Sequence, residues 1–95
     1  MKVAIVAAMQ EELAPFRQHF GAKQLVFEQA KTRIESVNPP EGTEISQLYL
    51  VESGIGKANA AACAAWLLSQ VGPDLVINTG STDYFEPNEI GRAHV

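Results

Sequence analysis

Several short stretches of the sequence carry side chains with chemistry to offer. Glu11 and Glu12 follow the apolar run Val3–Ala8 and open the segment Gln10–Phe20. A carboxylate at the mouth of a helix beyond a buried strand can be kept partly out of water, which raises its pKa and suits it to proton transfer. The competing expectation is a solvated glutamate that only complements the positive helix end, and that is the commoner fate of such a residue. Ser53-Gly54-Ile55-Gly56-Lys57 stands before a second helical segment. Backbone N–H groups at a helix start bind anions, yet GIGK lacks the upstream glycine of a P-loop and no G-x-G-x-x-G is present, so the phosphate signal is weak. Lys57 is either a phosphate ligand or a solvated residue, and Gly54 and Gly56 can serve simply to let the turn approach a neighbouring strand. Asn78-Thr79-Gly80-Ser81-Thr82 offers hydroxyls and an amide to a ribose or a base edge, or else forms a turn satisfied by its own side chains.

Other reactive residues promise less. His19 sits among polar neighbours on a helix, and neither it nor His94 has a carboxylate or Ser/Cys partner at the spacing of a triad. Cys63, the single cysteine, lies among alanines and reads as a small core residue. It has no disulfide partner, and no Cys/His cluster has metal-ligand spacing. Trp66 is a packing or interface anchor.

The elements that must position these groups follow from periodicity. Val3–Ala8 is a continuous apolar run, suited to a strand buried on both faces. In Gln10–Phe20 the residues Leu13, Phe16 and Phe20 recur at helical spacing. Pro15 is expected in or near its first turn, where a missing N–H costs little, and Gly21 is the stop. Gln24–Glu28 and Thr32–Val37 read as short strands joined by a turn at Glu28–Lys31, and Asn38–Gly42 is the strongest loop signal. Ile45–Val51 is a further strand, Ala58–Val71 an alanine-rich helix ended by Gly72-Pro73, and Leu75–Ile77 a buried strand. Helices between apolar strands predict an α/β fold with a mostly parallel or mixed central sheet and helices on its faces. In such sheets ligands bind beyond the carboxyl ends of the strands. If the strands run parallel, the loops at Ala8–Glu12, Ser53–Lys57 and Asn78–Thr82 share one rim.

Composition narrows the function classes. The chain has 95 residues, with 46% hydrophobic and 19% charged, which fits one small globular domain or part of one. Seven Lys+Arg against 11 Asp+Glu give a net charge of −4 and no basic footprint for nucleic acid. The longest apolar stretch, Ala60–Leu68, is far shorter than the roughly 20 residues that span a bilayer, and the N-terminus does not read as a signal peptide. A cytoplasmic protein without membrane attachment is expected.

The C-terminal stretch differs in kind. Asp83–Val95 has no useful period, so Leu75–Ile77 is expected to end the ordered sheet, and the fold looks cut short. Glu89-Ile90-Gly91-Arg92-Ala93-His94-Val95 is the translation of GAG-ATC-GGA-AGA-GCA-CAC-GTC, the start of a widely used DNA-sequencing adapter. On that basis at least these residues are expected to be sequencing carry-over.

Taken together, MKVAIVAAMQEEL, VESGIGKANAA and PDLVINTGS resemble the nucleoside phosphorylase/hydrolase superfamily, and within it the bacterial 5′-methylthioadenosine/S-adenosylhomocysteine nucleosidases. Each motif alone is weak; the three in the family's order and approximate spacing are fairly specific. The resemblance covers about Met1–Ser81 and makes residues 1–82 the N-terminal part of such a domain, with 83–95 outside the family. It implies hydrolysis of the N-glycosidic bond with release of adenine, within methionine salvage and nucleoside catabolism. By the same resemblance, Glu12 matches the water-activating glutamate. Ala8 and Met9 match residues flanking the ribose, Ile55 a pocket wall, and Ser81 and Thr82 the loop beside purine and ribose. The family works without metal or organic cofactor and is typically homodimeric, with the helix at Ala58–Val71 near the interface.

The chain departs from the family where Ser81-Thr82-Asp83-Tyr84 stands in place of Ser-Ala-Gly-Gly. Asp83 would put a charge where a glycine backbone approaches the substrate. The aspartic acid that protonates adenine and the Met-Glu pair that grips the ribose also belong to the family's later, missing part. The 95-residue chain alone is therefore expected to be inactive. Other readings are a different purine nucleoside hydrolase or phosphorylase of the superfamily, a non-catalytic fragment with exposed apolar faces, and a signalling receiver domain. The last lacks an Asp at the end of its central strand, which reads Val51-Glu52-Ser53-Gly54. The nucleotides encoding Glu89–Val95 test the carry-over: the adapter's own codons are expected there, and any others end the idea.

Overall fold

The computed structural model describes residues 1–79 and 84–85. The chain runs β1 (Lys2–Ala7), α1 (Gln10–Phe20), β2 (Ala22–Gln29), β3 (Thr32–Val37), β4 (Gln47–Glu52), α2 (Lys57–Gln70), β5 (Leu75–Asn78) and β6 (Tyr84–Phe85). The strands form one sheet in the order β2-β3-β4-β1-β5-β6. Helix α1 has the bounds expected from its periodicity. Strand β3 also keeps its expected bounds, and the other expected elements shift by a residue or two, as helix and strand ends commonly do.

The apolar run of β1 makes it the central strand. It pairs in parallel with β4 on one side and β5 on the other. Alternate residues serve opposite faces, the period-2 rule of a strand. Val3, Ile5 and Ala7 join Leu13 of α1, Leu48 and Leu50 in one buried cluster. Ala4 joins Cys63 and Leu67 of α2, with Ile34, Val51 and Val76, in the other. A strand covered by a helix on each face has no room for polar side chains, hence the unbroken hydrophobic stretch.

The sheet is mixed rather than mostly parallel. β2–β3 and β3–β4 are antiparallel. The connections explain this: Ala30-Lys31 is a two-residue turn, and residues 38–46 contain no helix, whereas parallel pairing needs a crossover. Ala30 takes φ 54°, the left-handed conformation such hairpins use. The expectation that the sheet ends at Leu75–Ile77 is corrected. Tyr84–Phe85 returns antiparallel against β5, pairing Ile77 with Tyr84 and Val76 with Phe85. Two aromatic residues suffice for a strand here but are too few to leave a sequence period.

Pro15 also departs from expectation. It is the sixth residue of α1, inside the helix and past its first turn. The missing N–H removes the bond to the Glu11 carbonyl, a local cost that the burial of Leu13 helps to offset. Gly21 closes α1 as expected: at φ 83° its N–H donates to the Arg17 carbonyl at 2.9 Å. At the lower end of β1, Lys2 N–H donates to Asp74 Oδ2 at 2.7 Å and Asp74 N–H returns to the Lys2 carbonyl at 2.8 Å. Phe27 of β2 stacks on Trp66 of α2 with ring centroids 4.9 Å apart, which ties the edge strand to the helix layer. Trp66 is thus a packing anchor.

Cys63 is buried, and burial pushes its thiol from 9.0 up to about 11, with a hydrogen bond to Thr32 acting in the opposite direction. The folded state holds this proton more tightly than the unfolded chain does. Stability contributed by the neutral thiol is therefore intact below about pH 9 and falls as pH rises toward about 11. Denaturant melts between pH 8 and 11 should show a loss of stability that is reduced in Cys63→Ala. Equal slopes for the two proteins would contradict it.

Candidate active site

Because β4, β1 and β5 run the same way, their carboxyl ends lie along one rim of the sheet. The ladder extends past the strands: Ser53 N–H donates to the Ala7 carbonyl and Thr79 N–H to the Val6 carbonyl, each at 2.9 Å. These bonds bring the chain after β4 and after β5 alongside the chain leaving β1. The rim holds a cleft of about 290 Å³ lined by Ala8, Met9, Lys31, Glu52, Gly54, Ile55 and Asn59.

Three of the residues singled out from sequence therefore meet in one place: Ala8 and Met9 from the β1–α1 loop, and Ile55 from the β4–α2 loop. Ile55 is 71% exposed and Met9 42%, an apolar pair turned outward with no core to join. Glu12 is not among the lining residues. Its Oε1 accepts the Met9 N–H at 3.2 Å, and its own N–H donates to the Met9 carbonyl at 3.2 Å. It thus caps the first turn of α1 in the manner of the third residue of a capping box, a more specific structural role than the solvated, dipole-complementing one weighed above. The carboxylate nevertheless stands one hydrogen bond from the cleft wall. Ser81 and Thr82 lie outside the described residues. Lys57 opens α2 on the exposed side and does not line the cleft.

The residues missed from sequence come from pairing. Lys31 sits in the β2–β3 turn, and the β3–β4 register carries that turn to the rim. A Cβ built on Gly54 would stand 2.7 Å from Lys31 Cβ, so only glycine, here at φ 80°, lets hairpin and loop touch. Asn59 donates to the Ile55 carbonyl at 2.7 Å and steadies that loop. Glu52 ends β4 and accepts from Gln10 Nε2 at 2.7 Å. Neither a hairpin turn nor a strand-end glutamate has a signature that assigns it to a site before the register is known.

A polar network holds α1 over this rim. Arg17 donates to the side chain of Gln10 and, through Nε, to Glu35 Oε1 of β3 at 2.8 Å. Glu35 is 8% exposed, so the guanidinium is what makes its burial tolerable. The chain of contacts Glu52–Gln10–Arg17–Glu35 fixes the start of α1, with Met9 and Glu12, against two strands. A second, smaller cavity of about 60 Å³ lies under the rim on the α2 face, with Ser53 and Asn78 among its lining. Among the described residues no group of three His, Cys, Asp or Glu is placed to hold a metal ion. No helix among them is long and apolar enough to cross a membrane.

Comparison with known proteins decides the lineage. Residues 2–82 match the model of the phosphorylase superfamily. The chain belongs to that superfamily. It is 40% identical over 93 residues to a 5′-methylthioadenosine/S-adenosylhomocysteine nucleosidase of Lysinibacillus sphaericus, covering 96% of this chain and 38% of that protein. It is 37% identical over 89 residues to the nucleosidase of that name from Anoxybacillus flavithermus, covering 93% and 36%. The chain thus spans somewhat over a third of the length of these curated relatives. Among solved structures it is similar to the S. pneumoniae nucleosidase with a transition-state inhibitor. The TM-score there is 0.64 at 33% identity, over 82% of this chain and 32% of that one. A Colwellia psychrerythraea nucleosidase in complex with adenine gives a TM-score of 0.64 at 32% identity, over 82% and 30%. The α/β fold of the superfamily is therefore shared across most of the chain.

Removing one end of the Arg17–Glu35 pair should be costly, since it strands a buried carboxylate. Arg17→Met is expected to destabilise the chain by about 3 kcal/mol, and the double variant with Glu35→Leu to recover most of that. Equal stability of Arg17→Met and the unaltered chain in urea would show that the pair contributes nothing.

Proposed function

We propose that the protein to which this chain belongs hydrolyses the N-glycosidic bond of 5′-methylthioadenosine and S-adenosylhomocysteine, releasing adenine. One observation carries the proposal: the parallel strands β1 and β4 deliver Ala8, Met9 and Ile55 to a single cleft, with Glu12 tied to its wall. Its support is the match of two motif loops to that cleft, together with relatives of that name at 37–40% identity.

The chemistry asks for two carboxyl groups, as in other glycosidic cleavages. Glu12 accepts a proton from water, whose oxygen bonds to the anomeric carbon as the bond to the purine nitrogen breaks. The electron pair leaves with the base, which takes up a proton from a second acid. Oε1 of Glu12 accepts the Met9 N–H, and in this reading the second carboxylate oxygen, Oε2, takes the water. Ala8 and Met9 flank the ribose, Ile55 forms the wall, and Ser81 and Thr82 stand beside purine and ribose. The acid for the base belongs to the remainder of the protein. Glu52, the carboxylate among the cleft-lining residues, is already held by Gln10.

By the same proposal residues 1–82 are the N-terminal part of the catalytic domain, and the chain of 95 residues has no nucleosidase activity by itself. The whole protein is a cytoplasmic homodimer of methionine salvage. The outward alanines of α2, Ala58, Ala62 and Ala65, suit close contact with a partner. The experiment is an adenine-release assay on the chain and on a chimera that adds the later two thirds of the S. pneumoniae relative. The chain is expected to release none and the chimera to be active. Glu12→Gln in the chimera should lower kcat by about 100-fold or more. Activity of the chain alone would overturn the claim of incompleteness, and an undiminished Glu12→Gln chimera the role of Glu12.

A further inference from the structure

We propose that Gln10 and Arg17 are positioning residues for Glu12: through Glu52 and Glu35 they set the roll of α1 about its axis, and with it the direction in which the Glu12 carboxylate meets the cleft wall. The inference rests on the nucleoside-cleaving reading above and adds what holds Glu12 in place.

Helix geometry separates the two tasks. With 3.6 residues per turn, Gln10 and Arg17 lie two turns apart on one flank of α1, and Glu12 lies about 200° round the axis from Gln10. The apolar stripe of Leu13, Phe16 and Phe20 runs between the two flanks. Leu13 is buried, whereas Phe16 and Phe20 are partly buried against the sheet. Apolar burial is non-directional, so a stripe of this kind seats a helix without fixing its roll. Hydrogen bonds are directional and do fix it. A carboxylate about 5.5 Å from the axis moves about 1 Å for a roll of about 10°. Displacements of that size are costly in catalysis.

The relay is built from groups that each bond in one sense. A carboxylate only accepts and a guanidinium only donates, so one orientation of the Gln10 amide satisfies both neighbours. Its Nε2 donates to Glu52 Oε1 at 2.7 Å, and its Oε1 accepts from Arg17 Nη2. Arg17 Nε donates to Glu35 Oε1 at 2.8 Å, and Glu35 is buried in β3. One flank of α1 is thereby held to β3 and β4 together. The relay also spans the weak point of the backbone. Pro15 leaves the Glu11 carbonyl without its helical N–H, so the first turn is joined to the rest of α1 by fewer backbone bonds. The bond from Arg17 to Gln10 bridges that gap with side chains. Glu12 belongs to the first turn, where its Oε1 and its N–H both bond to Met9. A change at Gln10 therefore reaches Glu12 through the backbone of that turn.

The test reverses the sense of one bond. In the 95-residue chain, Gln10→Glu keeps an acceptor for Arg17 but sets a carboxylate against Glu52. Exchange of the Met9 amide, followed by NMR, is expected to rise about tenfold, the scale of one hydrogen bond to a charged group. Gln10→Met, which loses both bonds without adding charge, should give a similar rise. Gln10→Glu with Glu52→Gln restores a donor facing an acceptor and should bring exchange back to the original rate. In the chimera described above, the single change should lower kcat about tenfold with KM little altered, and the double change should restore kcat. Unchanged Met9 exchange in both single variants overturns the inference. So does a double variant no better than Gln10→Glu, a loss of protection spread evenly over the whole chain, or a kcat indifferent to Gln10 while Met9 exchange responds. An undiminished Glu12→Gln chimera would instead end the nucleosidase reading, and the Met9 measurement, which involves no substrate, would still judge the positioning by itself.

Discussion

The parallel pairing of β1 with β4 and β5 is the constraint on which the rest of the molecule depends. It sets Ala7 beside Glu52 and Val6 beside Asn78, so the three strands end at one level. Hydrogen bonds from Ser53 and Thr79 back to β1 carry that alignment into the loops. The pairing in turn requires β1 to be apolar throughout, because helices pack on both of its faces. A polar substitution at Ala4 or Ile5 would bury an unsatisfied group in one of the two clusters and put the alignment of the loops at risk.

Helix α1 meets conflicting demands at its first turn. Glu12 satisfies the backbone N–H of Met9, which stabilises the helix start, and it is also the residue proposed to take a proton from water. A carboxylate that gives one oxygen to a cap keeps the other for chemistry, and the helix start need not rest on the cap if something else holds it in place. The Arg17 network supplies that hold. It anchors α1 through Gln10 to Glu52 and through Glu35 to β3, and Glu12 takes no part in it. The helix can therefore stay seated whether or not the cap bond is made.

Much of this was legible in the residues. The bounds of α1 followed from Leu13, Phe16, Phe20 and Gly21, because an amphipathic helix writes its period directly into the chain. The two-sided burial of β1 followed from Val3–Ala8, and with parallel strands the shared rim followed as well. The loops that carry Ala8, Met9 and Ile55 were expected on one rim because loops after parallel strands converge, while the three residues themselves were named through the resemblance. What stayed hidden depended on pairing. The antiparallel arm β2–β3 brings Lys31 to the cleft through a register that no local pattern announces, and Glu35 looks like an ordinary solvent-facing strand residue until Arg17 is placed over it. Tyr84–Phe85 joins the sheet through backbone bonds, which two residues cannot signal in advance. The same limit applies to Pro15, whose place in α1 depended on where the helix began.

The shape of the cleft bears on the proposal that this chain alone is inactive. Its described lining comes from the loops after β1 and β4, the hairpin turn, the end of β4 and the first turn of α2. Cleavage of a glycosidic bond also needs a proton delivered to the base on the opposite side, at a moment when water is excluded. A cleft open to solvent leaves charges screened and protons in exchange with bulk water, so even a well-placed Glu12 would gain little. The proposed reaction asks for two facing walls, and the described residues line one cleft at the strand ends.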